Sequence, residues 1–169
     1  MRHHTFIVFP VAAVFLASSS LGGGDLKAKA ARAAAMKQEL KRLAGTWELV
    51  HWGLNGHLVD RSEWKSLLGK STHRITFLEG GIWGGTPNQT SGRRSRYVLD
   101  PTTAPKTLDC YCPLDKGGEV LASVGIYEFD GDELTMCCGS PLLPRPTDFT
   151  LKHGSRNSYR VFRRVKDGK

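Results

Sequence analysis

No apolar run in this chain is long enough to cross a bilayer, which takes about 20 residues. The longest, from Phe6 to Ala17, is interrupted by Pro10. A glycine-rich phosphate loop, a nucleophile elbow and a close carboxylate pair are also missing, so the usual patterns for phosphate handling, acyl transfer and paired acid–base work are not present. Cysteine is sparse and oddly spaced: Cys110 and Cys112 are two apart, Cys137 and Cys138 adjacent. Neither pair has the two-residue gap of common zinc and thiol–disulfide motifs. Beyond the first few residues, His51, His57, His73 and His153 are scattered, without the spacing of metal ligands or of a nucleophile's base. Asp130, Asp132 and Glu133 lie around a glycine and read as turn residues rather than calcium ligands. Nothing positive points to catalysis, and the chain is read as a non-enzyme with no cofactor.

What is present at the start is a leader pattern. Positive charge at Arg2, the apolar run and the small residues Ser18, Ser19 and Ser20 match a secretory signal peptide over residues 1–20. The first cysteine is Cys110, so no lipid-modified cysteine follows the leader, and the mature chain is expected to be exported, periplasmic or secreted, without a transmembrane segment. Residues 21–169 suffice for one ordinary domain. At 40% hydrophobic and 24% charged, the composition is globular. The formal net charge of +8 falls by one when the leader is removed. That balance favours anionic partners such as a cell-envelope component, or simply solubilises the surface, while export argues against nucleic acid.

Residues 21–44 read as a linker and a basic helix. From Asp25 to Leu43 the chain is Ala, Lys, Arg and Leu without proline or glycine, and Ala33, Met36, Leu40 and Leu43 form one narrow apolar stripe. After Gly45 the period changes to two. Trp47, Leu49 and His51 share one strand face, which places His51 towards the interior at the strand's end. A short helix is predicted over 62–68. Strands are predicted near 73–78, 82–85, 96–99, 107–112, 120–129, 133–138, 147–152 and 158–165, with turns between them at Glu79-Gly80-Gly81, Asp100-Pro101, Lys116-Gly117-Gly118, Asp130-Gly131 and His153-Gly154-Ser155. Asp130-Gly131, between two half-apolar runs, predicts a hairpin closed by a type I′ turn. Short strands with short polar turns describe a mainly all-β domain over 45–165. The expected form is an up-and-down antiparallel β-barrel of about eight strands, lipocalin-like, with an N-terminal α-helix and a tail at 166–169. Residues 86–96, with Pro87, Gly92, Arg93, Arg94, Arg96 and a formal glycosylation sequon at Asn88, are expected to form a mobile loop.

Gly45-Thr46-Trp47, opening the first strand after a helix, resembles the G-x-W signature of lipocalins, and Thr147-Asp148-Phe149 is similar to their T-D-Y segment. The resemblance implies that an arginine of the last strand lies across the tryptophan at the closed end of the barrel; if Phe162 points inward, period two selects Arg164. Four blocks in order resemble, more closely, an exported lipocalin-like domain family abundant in planctomycete bacteria: residues 43–50, Tyr97-Val98-Leu99-Asp100-Pro101 with 105–109, 125–137, and Arg145-Pro146-Thr147-Asp148-Phe149. This resemblance spans about residues 38–165. It implies a β-barrel and an extracytoplasmic location and brings no catalytic residues.

Period two places Leu108, Cys110 and Cys112 on the interior face, with Leu134, Met136 and Cys138, and puts Cys137 outside. Cys110 and Cys138 would flank a central strand, and strands two apart are separated by roughly 9–10 Å, too far for the ~7 Å that a disulfide tolerates between Cα atoms. Mostly unpaired thiols are expected; three inward thiols, Cys110, Cys112 and Cys138, are an alternative soft-metal set. A second alternative is an exposed sugar or anion surface formed by Trp52, Trp64, Trp83, Tyr111 and Arg93, Arg94 and Arg96. The leading functional expectation is a binding module for a small apolar or amphipathic ligand, its cavity walled by Leu49, Ile75, Leu108, Met136 and Phe162. Its rival is an interaction protein that meets the cell envelope through the helix and basic loops.

Overall fold

The structure is a computed structural model and describes residues 23–64, 66, 73–78, 81–84 and 95–166. The leader at 1–20, the sequon at Asn88 with Arg93 and Arg94, and the last residues of the tail lie outside the described residues. One helix, α1 (Gly23–Leu43), precedes nine strands: β1 (Gly45–Leu54), β2 (His57–Leu58), β3 (Arg74–Leu78), β4 (Ile82–Gly84), β5 (Ser95–Asp100), β6 (Lys106–Pro113), β7 (Glu119–Asp130), β8 (Glu133–Gly139) and β9 (Ser158–Arg164). The chain is mainly β, one antiparallel sheet with an N-terminal helix. The sheet runs β2-β1-β3-β4-β5-β6-β7-β8-β9, and β1 carries a further ladder to β9, from Trp47↔Arg164 to Leu54↔Ser158.

Register follows the apolar alternation. Trp47, Leu49, Phe77, Leu99, Leu108, Tyr127, Leu134, Met136 and Phe162 belong to one buried cluster, which defines the inner face. Cys110, paired with Tyr97 and Ser123, and Cys138, paired with Gly125 beside Leu108, fall on the same face. Cys137 is on the opposite face, yet only 1% exposed. The segment between β8 and β9 lies over that outer surface: Arg145 donates to the carbonyls of Leu108 and Gly125 and pairs with Asp109, and Leu151 fills the space that a side chain at Gly53 would take.

Three expectations are corrected. Residues 147–152 form no strand. Both edges of β8 and of β9 are already paired, Pro144 and Pro146 supply no donors, and the Asp148 carboxylate accepts from the amide of Thr150, a local bond that competes with a ladder. The hairpin at Asp130 is present, but its two-residue loop is Gly131-Asp132 with positive φ at Gly131 alone, the type II′ pattern rather than I′. Both loop residues of Asn55-Gly56 have positive φ, so the I′ pattern closes β1 and β2 instead. His51 faces outward: a bulge between Leu49 and His51 shifts the register, so His51 pairs with Val161 on the outer face and Trp52 takes the inner position opposite Arg160. In the predicted short helix over 62–68, Trp64 and Ser66 are helical, and residues 65, 67 and 68 lie outside the described residues.

Helix α1 is exposed from Gly24 to Ala34 and becomes buried only at its end, where Leu40 and Leu43 pack on the core. Glu39 anchors the last turns, accepting from Lys106 at 2.9 Å and from the Tyr127 hydroxyl at 3.2 Å; Arg32 pairs with Asp100. The terminal carbonyls, which a helix leaves without partners, are taken by the first and last strands. Trp47 Nε1 donates to Leu43 O at 2.8 Å, Arg164 Nη1 to Ala44 O at 2.8 Å, and Arg164 Nη2 to Arg42 O. The Arg164 guanidinium carbon sits 4.2 Å above the Trp47 ring. Gly45 has φ +122°, and a Cβ there would stand 2.8 Å from Arg164 Nη1, so glycine serves both the backbone turn and the arginine's seat.

Candidate ligand cavity

A cavity of about 250 Å³ opens on the inner face. Its apolar wall is Ile75 from β3, Met136 from β8, Phe162 from β9 and Ala122 from β7. Its polar wall is Tyr97 from β5, Cys110 and Cys112 from β6, Ser123 from β7 and Arg160 from β9. Pairing brings these together: Tyr97↔Cys110↔Ser123 lie across three adjacent strands, and Met136↔Arg160 across two others. A bulge between Cys110 and Tyr111 leaves Ala122 as an extra residue on β7, which is how neighbouring residues 122 and 123 both reach the cavity.

Of the five residues expected to wall a cavity, Ile75, Met136 and Phe162 line this one. Leu49 and Leu108 are buried in the packed cluster beside it. Tyr97, Ser123 and Arg160 complete the wall; period two along β5 and β9 already placed Tyr97 with Leu99 and Arg160 with Phe162. The Tyr97 ring packs edge-on against Phe77, 5.3 Å between centroids, and Cys110 pairs across the ladders with Tyr97 on one side and Ser123 on the other. Ser95 Oγ lies 3.4 Å from Cys112 Sγ.

The lining is uncharged apart from one group. Burial pushes the Cys110 thiol up to about 11 and the Cys138 thiol, just behind the cavity, up to about 12. Burial also raises the Tyr97 phenol well above its ordinary value, with the neighbouring Cys110 and Cys138 adding to the effect. Arg160 is the cation. Its side chain is largely exposed, and among the described residues it makes no hydrogen bond or ion pair, although its charge is felt by Tyr97 and Cys138.

The other chemistry considered from the sequence is dispersed. All four cysteines are free, and among the described residues no group of three or more His, Cys, Asp or Glu side chains is placed to hold a metal, so Cys110, Cys112 and Cys138 do not converge as a ligand set. Trp52 and Trp64 are buried rather than offering faces to a sugar, and Arg96 lies over Tyr111 while pairing with Glu119. His57 and His153 meet edge to face at 5.3 Å on the surface, a contact that the scattered sequence positions gave no sign of. A wider concavity of about 560 Å³ is a trough along residues 143–157; there Arg145 is engaged by Asp109, and Asp148 by Lys152 and Thr150, which hold its carboxyl at about 2. In the inner cavity, by contrast, Arg160 has no hydrogen-bond or ion-pair partner among the described residues. No family model, curated protein or solved structure matches the chain.

Proposed function

We propose that this chain is an exported lipocalin-like barrel that binds a small apolar or amphipathic ligand on its inner face. The observation that carries the reading is the cavity itself, which Ile75, Met136 and Phe162 line together with the polar Tyr97, Ser123 and Arg160. Sites for small molecules combine an apolar lining with a few placed polar groups. The ladder between β1 and β9 supports a barrel, and the Trp47–Arg164 contact supports the lipocalin-like resemblance. About 250 Å³ falls below the 300–1,000 Å³ of drug-sized sites, so the ligand is small. Native mass spectrometry of protein purified from its own compartment tests this: a retained small molecule, lost in Met136→Trp where the larger side chain fills the cavity, is the expected result. Unliganded protein that also fails to take up octanol would refute it.

A second reading keeps one specific support. At the start of α1, before the Arg32–Asp100 pair, Lys27 and Lys29 are exposed and Leu26 is 70% exposed, which suits contact with an anionic cell-envelope partner. Among the described residues no helix is long and apolar enough to cross a membrane.

A further inference from the structure

Resting on the ligand-binding reading above, we propose that the ligand is a small monocarboxylic acid, its carboxylate held by Arg160 and its apolar body lying on Ile75, Met136 and Phe162. Charge leads to this assignment. Arg160 is the one basic side chain of the lining, which holds no carboxylate, and burial favours the neutral forms of the Cys110 thiol and the Tyr97 phenol beside it. A guanidinium at the edge of an apolar cavity, unpaired among the described residues, attracts an anion, and its planar fork matches the two oxygens of a carboxylate.

Valence and size narrow the class. A phosphate monoester carries roughly −1.5 to −2 at pH 7 and three acceptor oxygens, more than one arginine compensates. The remaining donors of the lining are the hydroxyls of Tyr97 and Ser123 and weakly donating thiols, which suit a singly charged head whose second lone pairs need neutral partners. At about 30 Å³ for each water-sized group, the cavity of about 250 Å³ holds roughly eight such groups. That fits an acid of medium length and excludes a two-chain lipid.

Octanoate, 1-octanol and octylammonium share one body and differ in head charge, so calorimetric titration of the three into the purified mature chain tests the assignment directly. Octanoate should bind at least tenfold more tightly than octanol, with octylammonium weakest. In Arg160→Gln, octanoate should lose at least tenfold while octanol stays within twofold, and Arg160→Lys should keep part of the preference. Equal affinity for octanoate and octanol in the unaltered chain overturns the acid assignment but leaves the cavity reading standing, and this comparison needs no variant to fold. A preference for octanoate that survives in folded Arg160→Gln overturns the role of Arg160. Failure of all three to bind overturns the proposal together with the reading on which it rests.

Discussion

Replacing Trp47 by alanine should cost about 3–5 kcal/mol of unfolding free energy, the range for deleting a large buried aromatic. The side chain is 0% exposed, its ring packs 5.9 Å from that of Phe129, and its indole N–H satisfies the carbonyl of the last helical residue. Trp47→Phe separates these contributions, because it retains most of the apolar volume but leaves Leu43 O without its partner. Losing that bond costs about 1–3 kcal/mol when the acceptor stays buried. The phenylalanine variant should therefore recover about half of the loss. Arg164→Met tests the contact on the ring: a double-mutant cycle between Trp47→Ala and Arg164→Met should give a coupling of about 0.5–2 kcal/mol. Because Arg164 also holds the carbonyls of Ala44 and Arg42, its single variant should loosen the end of α1, raising amide exchange there before the sheet opens. Urea denaturation followed by tryptophan fluorescence and far-ultraviolet dichroism gives the free energies. A loss below about 1 kcal/mol for Trp47→Ala, or a coupling indistinguishable from zero, would refute the account of this corner.

Two further expectations concern the thiols. Denaturing thiol labelling before and after reduction should report four free cysteines per chain, and two disulfides per chain would contradict the register that separates Cys110 from Cys138. The pKa values of Cys110 and Cys138 are raised in the folded chain, so the unfolded chain releases these protons first as pH rises. Their contribution is present in full below the ordinary thiol value of 9.0 and is lost as pH climbs through about 11 to 12. Stability should fall over that alkaline window and fall less steeply in Cys138→Ala; an unchanged slope in that variant would show that the thiol is not protected by burial.

Faces were legible in the sequence, and heights were not. Alternation along β6 and β8 was enough to put Cys110 and Cys138 on the side of Leu108 and Met136 and Cys137 on the other. Burial is a different quantity from facing. Cys137 points outward and is still covered, because the proline-punctuated segment after β8 folds across the sheet, and no period in the sequence announces which strand a loop will cover.

Two bulges interrupt the sheet, one on β1 and one on β7 at the cavity, and a bulge is the event that a period-two argument cannot foresee, since one extra residue exchanges the faces of everything beyond it. Extending the face of Leu49 to His51 was sound until Val50 was left without an opposite number; past that point Trp52, not His51, turns inward beside Arg160. On β7 the second bulge lets Ala122 and Ser123 both line the space opposite Arg160 and Met136. Leu49 and Leu108 have the same facing as Ile75 and Met136 but pack into the cluster, where Trp47, Phe77 and Tyr127 fill the volume. Small residues at 122 and 123 and an arginine where the apolar period calls for a hydrophobic side chain therefore mark the unfilled part of the inner face. On β7 the position at which the alternation breaks is also one at which the inner face is left open, while the charge comes from the regular strand β9.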